Sequence, residues 1–282
     1  MPLEYLDQKN IDRRVFIKGL GWVSAGLLLS TLGGCESCVE QIANRPTRRR
    51  LRTGSPEVDA AIAIYKDAVT QMKALPGTNP RSWDAQAAIH GTVAGGFNFC
   101  EHGTDHFFSW HRAYLFYFEK ICQELTGETG FGLPYWNWNQ DHDMHPDFTD
   151  AASPLFHPRT NTSVGTDAAF TDATLDTILG DTNFYTFSPQ LEGSPHDTTH
   201  VIVGMDMVTG GSPLDPIFWA HHCMIDRIWR IWQLRHPGAN PPATMLDEAL
   251  PPFRMTVRQT LSVTALGYDY AVATSSTQHP SP

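Results

Sequence analysis

The chain has 282 residues, 41% hydrophobic and 18% charged, which is enough for a sizeable core and too apolar for a disordered chain. A formal net charge of -10 argues against a nucleic-acid partner. All thirteen histidines lie beyond residue 89, so one part of the chain is built around imidazole.

The N-terminus reads as an address. Asp12-Arg13-Arg14-Val15-Phe16-Ile17-Lys18 opens onto a charge-free run from Gly19 to Gly34. A basic start and a short apolar run describe an export signal, and a membrane span needs roughly 17–25 residues. Arg13-Arg14 with Phe16 and Lys18 resembles a twin-arginine signal. Leu32-Gly33-Gly34-Cys35 resembles the lipobox of bacterial lipoproteins, which makes Cys35 a lipidation site and the anchor the only contact with the membrane. The expected location is the periplasm or the outside face of the cell membrane. Residues 1–34 are thus assigned to the signal, 35–54 to a polar, basic linker with a strand leading into the domain as the alternative, 55–272 to the folded domain and 273–282 to a tail. Five cysteines are too few for a disulfide framework.

A first helix is predicted from Ser55-Pro56, a cap followed by a proline, to Pro76-Gly77. Val58, Ile62, Tyr65, Val69 and Met72 form its apolar stripe. A second runs from about Ser109 to Leu125 and ends at Gly127. Residues 131–165 read as long loops, and Leu175–Leu179 as a short helical piece. A third helix starts at Ser194-Pro195, and a fourth runs from about Pro216 to Leu234. The tail from Thr256 to Val272 alternates enough for strands. No repeat and no glycine-rich phosphate loop is present.

The histidines carry the chemistry. His196 and His200, four apart, share one face of a helix, as metal ligands require. The His-Glu-x-x-His general base of zinc proteases is missing, because Asp197 and Thr198 follow His196. His222 and Asp226 are also four apart. His102 and His111 are nine apart, half a turn out of phase at about 100° per residue, so His102 belongs on the loop that enters the helix of His111. His90 precedes them in Ala88-Ile89-His90-Gly91.

The block His102-Gly103-Thr104-Asp105-His106-Phe107-Phe108-Ser109-Trp110-His111-Arg112, with Leu115 and Glu119 after it, resembles the copper-A signature of tyrosinases. Asp215-Pro216-Ile217-Phe218-Trp219-Ala220-His221-His222, with Asp226, resembles their copper-B signature. Gly204–Trp229 is most similar to the bacterial members. The resemblance covers roughly residues 45–272. It implies a mainly α fold, an antiparallel helix bundle around a dinuclear copper site with long loops and a few short strands. It further implies two copper ions, one on His90, His102 and His111, the other on His196, His200 and His222. His106 and His221 would then stand outside the ligand set, and His142, His145, His157, His236 and His279 match nothing in the family pattern. Neutral imidazole suits copper in both oxidation states. Phe107, Phe108, Trp110, Phe218 and Trp219 would dry the site.

The resemblance also implies a thioether between Cys100 and His102, as in fungal tyrosinases and molluscan haemocyanins. Glu192 resembles the acid that holds a water at the plant and fungal sites. Asp197 departs from the family, which often has Asn there, and this puts monophenol hydroxylation in doubt. Tyr268-Asp269-Tyr270 resembles the Tyr-x-Tyr motif that closes the family's core, and the short tail leaves no large C-terminal lid. The implied activity is oxidation of o-diphenols to o-quinones by dioxygen, with weak monophenol hydroxylation. An o-aminophenol oxidase and a haemocyanin-like oxygen carrier are the alternatives. Nothing in the sequence requires a copper-delivery partner.

Overall fold

The computed structural model describes residues 45–271; the signal, Cys35 and His279 lie outside the described residues. β1 (Thr47–Arg48) leads into α1 (Pro56–Ala74), whose first-turn proline and acidic Glu57 and Asp59 suit a helix start. The predicted stripe is the buried face of α1, joined by Ala68. Ser55 does not cap the helix as predicted: its hydroxyl donates instead to Glu57 Oε2, 2.9 Å away.

α2 (Trp83–His90) was not foreseen, although Ser82 is its cap and accepts from Ala85 N. A tight hairpin of β2 (Gly91–Thr92) and β3 (Gly96–Phe97) follows. α3 (Phe107–Thr126) begins two residues before its predicted start and stops where Gly127 turns left-handed at φ 78°. It is the central helix, packed by α1 and by α7 (Ile217–Arg235). The Phe118 and Trp219 rings stack 3.4 Å apart between α3 and α7. Tyr65 of α1 donates to Pro216 O just before α7.

Residues 131–165 are mostly loop, as expected. α4 (Asp172–Gly180) extends the predicted helical piece. The third predicted helix divides differently. α5 (Phe184–Leu191) comes first, Ser194 is extended at φ −163°, and α6 (Asp197–Val203) follows. The strands predicted after Thr256 reduce to β4 (Asp269–Tyr270), because Thr256 and Gln259 form a capping box that starts a short helix, α8 (Val257–Thr260).

β4 pairs in parallel with β1. Residues 45–51 therefore lead into the domain as a strand rather than as a solvated linker, and Arg48 is fully buried. Arg48 Nε lies 2.9 Å from Glu119 Oε2 on α3, and its Nη1 3.0 Å from Asp226 Oδ2 on α7. Arg112 Nε, on α3, bonds Asp226 Oδ1 from the other side. Tyr268 and Tyr270 both donate their hydroxyls to Asp226 Oδ2. Every charge in this buried cluster is partnered, as burial demands.

Candidate metal centre

Each of the six histidines is placed by a different local device. His90 is the last residue of α2. His102 sits on the loop before α3, as the half-turn argument predicts, and His111 lies one turn inside α3. His200 lies on α6, and His196 immediately precedes it. His222 lies in the second turn of α7. The rings converge. His90, His102 and His111, with Cys100, bring their donor atoms within 4.8 Å of one another, and so do His196, His200, His221 and His222. The clusters face each other: the His111 and His222 rings stack 4.4 Å apart, and those of His102 and His196 lie 5.5 Å apart.

Hydrogen bonds set the tautomers. Nδ1 of His90 donates to Gly210 O at 2.8 Å, that of His111 to Phe107 O at 2.8 Å and that of His200 to Met207 O at 2.6 Å. His196 Nδ1 faces both Glu192 O and Asp197 Oδ1, at 3.2 and 2.9 Å. With Nδ1 protonated, each Nε2 keeps its lone pair. Nε2 of His90 and of His196 is buried without a hydrogen-bond partner. Buried acceptors left open in this way fit a metal ion.

Burial pushes every one of these imidazoles down, His90 to about 3 and His102 to about 4. His111, His196 and His222 fall well below the usual range for the same first reason, reinforced by their histidine neighbours. The cluster therefore stays neutral and able to coordinate at ordinary pH.

His221 differs. Its Nδ1 accepts from Trp138 Nε1 at 3.1 Å, and an indole nitrogen can only donate. The proton of neutral His221 is thereby placed on Nε2, which removes the lone pair a metal would need. His106 points away and bonds Glu248 at 2.8 Å. His157, on a loop, bonds Asp206, and His236, at the end of α7, bonds Leu179 O, each at 2.8 Å.

Phe107, Phe108, Trp110, Phe218 and Trp219 are buried, as the drying role requires. The Phe107 ring lies 4.7 Å from His111 and 4.8 Å from His196, and that of Phe218 lies 4.1 Å from His222. Above the histidines a cleft of about 560 Å³ opens to solvent. Phe97, Pro189, Val201, Met207 and Val208 give it apolar walls, and Glu192 and Asp197 are its acids. Glu192 Oε1 accepts from Gly103 N at 2.6 Å. Burial pushes the Glu192 carboxyl up to about 7, against the Gly103 bond that pulls it down. Cys100 Sγ lies 3.3 Å from His102 Nδ1 and 3.8 Å from Nε2, beside the Cε1 edge of the ring.

Sequence reasoning missed Gly210, Met207 and Trp138, which orient His90, His200 and His221. No local spacing marks them, because two act through backbone carbonyls and the third lies 83 residues from its partner.

A mainly α fold with two facing three-histidine clusters defines the architecture of the type-3 copper proteins. The chain belongs to the tyrosinase family: the profile described as "Common central domain of tyrosinase" matches residues 80–166 and 145–235. Proteins of this family bind two copper ions, and the inward-facing lone pairs here fit that pair. The chain is 30% identical to a tyrosinase of Hahella sp. over 76% of its length and 61% of the relative's. It is 27% identical to (+)-larreatricin hydroxylase of Larrea tridentata over 82% of its length and 50% of the relative's. Among solved structures, it superposes on a Vitis vinifera polyphenol oxidase with TM-score 0.67, at 22% identity, over 89% of this chain and 90% of that one. A functional unit of octopus hemocyanin shares the fold at TM-score 0.66 and 24% identity, covering 80% of this chain and 68% of that one.

Proposed function

We propose that the protein oxidises o-diphenols to o-quinones with dioxygen, two diphenols for each dioxygen reduced to water. In this reading His90, His102 and His111 hold one copper ion, and His196, His200 and His222 the other. The observation that carries it is the pair of facing histidine clusters beneath an open cleft, each with a buried Nε2, that of His90 on one side and of His196 on the other, left without a hydrogen-bond partner. Bound copper supplies the redox chemistry with dioxygen.

The chain's own residues bind the substrate, exclude water and handle its proton. The apolar walls receive the phenol ring, and the buried aromatics keep water from the histidines. Glu192, poised near neutrality, takes the phenolic proton directly or through a water it fixes. Asp197 sits beside it, bonded to His196 Nδ1. A neutral Asn would orient water differently, so monophenol hydroxylation is proposed to be weak.

Cys100 and His102 are proposed to join through a Cε1–Sγ thioether, losing the S–H and C–H protons and passing two electrons to dioxygen at the centre. Such a link would restrain the one histidine of its cluster that no helix holds. The twin-arginine-like start and Cys35 support export with a lipid anchor. Cell fractionation of the wild type and of Cys35→Ser tests this, because only the former would stay with the membrane.

Oxygen uptake by the copper-loaded protein tests the activity, with catechol, tyrosine and o-aminophenol as substrates. Rapid uptake with catechol is expected. Uptake with o-aminophenol alone would move the assignment to an o-aminophenol oxidase. Reversible oxygen binding without turnover would make the protein a carrier.

A further inference from the structure

One turn, residues 204–210, orients a histidine of each cluster. Met207 O accepts from His200 and Gly210 O from His90, at 2.6 and 2.8 Å. The turn is conformationally demanding. Gly204 has φ 73° and ψ −163°, and Met205 has φ 52° without being glycine. Such a backbone persists only when its surroundings over-determine it.

The surroundings come from a loop, residues 157–161. Thr160 N donates to Val203 O at 2.8 Å, and Asn161 Nδ2 to Ile202 O at 2.8 Å, which ties the loop to the end of α6. Buried Arg159 makes paired bonds to Asp215 at 2.7 and 2.5 Å, and Asp215 Oδ1 accepts from Ile217 N at the start of α7. His157 Nε2 donates to Asp206 Oδ2 at 2.8 Å, within the turn itself. The Asp206 carbonyl in turn accepts both the N–H and the hydroxyl of Thr209, at 3.0 and 2.8 Å, immediately before Gly210.

We propose that His157 and Asp206 are positioning residues of the metal centre: their bond fixes the 204–210 turn, and the Met207 and Gly210 carbonyls carry that restraint to one histidine on each side. The proposal rests on the copper-binding reading above. Both side chains are partly exposed, and a single hydrogen bond at such positions contributes only modestly to overall stability. Metal retention therefore separates from folding.

The test uses the full chain loaded with two equivalents of copper and challenged with excess chelator. His157→Ala and Asp206→Ala are expected to release both equivalents about tenfold faster than wild type, the lower end of the effect for groups that orient ligands. The double variant should release no faster than either single one, because both changes remove the same bond. His157→Gln, which keeps an N–H donor, should return towards wild type. Lys66→Ala breaks the Lys66–Asp147 pair elsewhere and should leave release unchanged. Unfolding temperatures of the copper-free variants should match wild type. Unchanged release in His157→Ala, additive effects in the double variant, or fast loss of only one copper would each overturn the proposal. So would a marked fall in the copper-free unfolding temperature of His157→Ala, which would make the bond merely structural. A wild type that binds no copper would instead overturn the copper reading.

Discussion

His90 Nδ1 meets the carbonyl of Gly210 at 2.8 Å, although 120 residues separate them. The close approach depends on glycine. A Cβ at Gly210 would come within 2.1 Å of Gly96 O, and one at Gly91 within 2.3 Å of the same atom. The hairpin after α2 thus lies directly against the turn that orients a histidine of each cluster.

Gly210→Ala should therefore displace its carbonyl and free the His90 ring. Copper content should fall from two towards one per chain. Gly77→Ala, whose Cβ would meet nothing, should keep two. Metal analysis after dialysis decides, and two tightly held ions in Gly210→Ala would refute the link.

The proposed ligand set makes a four-variant comparison. His111→Ala and His222→Ala should each lose a copper and all phenol oxidation. His106→Ala and His221→Ala should retain both ions, since His106 faces Glu248 and Trp138 keeps the His221 proton on Nε2. Loss of copper from His221→Ala with retention in His222→Ala would reverse the assignment.

Asp197→Asn should raise the ratio of monophenol to diphenol activity at unchanged copper content. Initial rates on tyramine and 4-methylcatechol measure it. A ratio that stays level or falls would show that the carboxylate beside His196 does not limit hydroxylation.

Glu192 gives a pH-dependent stability in the copper-free protein. Its folded value, about 7, lies above its ordinary 4.5. The folded chain therefore favours the protonated acid, and that contribution is lost as pH rises from 4.5 through 7. Glu192→Gln should match wild type near pH 4 and unfold at a higher temperature at pH 8. Parallel melting curves at both pH values would contradict this.

Asp226 behaves oppositely. Burial alone would raise it, but Arg112 and Arg48 outweigh burial and hold it below its ordinary 3.8. Its contribution is present above that value and lost as pH falls through the folded one. Asp226→Ala should cost about 3–5 kcal/mol at pH 7, the usual penalty for breaking a buried pair. Denaturant titrations at pH 7 and pH 3 should show the deficit shrinking in acid.

The parts legible in sequence were those with a local signature. The α1 stripe, the Gly127 stop and the His196–His200 spacing each state a helix in consecutive residues. His102 was placed on a loop by the same periodicity. What escaped was long-range. Arg48 looked solvated among its arginine neighbours, yet Glu119 and Asp226, far along the chain, bury it. The tail alternated like strands, but Thr256 and Gln259 capped a helix instead. The carbonyls that aim the imidazoles carry no side-chain signal at all.

The Arg48–Tyr270 bond spans 222 residues. Contacts of such separation carry the entropic cost of closing a long loop. Arg48, Glu119, Arg112 and Asp226 are all synthesised before Tyr268 and Tyr270 can reach them. A chain cut before residue 268 would hold Asp226 without either tyrosine hydroxyl, on the very helix that carries His222. β4 thus completes a charge cluster lodged between the helices that carry His111 and His222, so the two halves of the histidine array are braced by segments from both ends of the described residues.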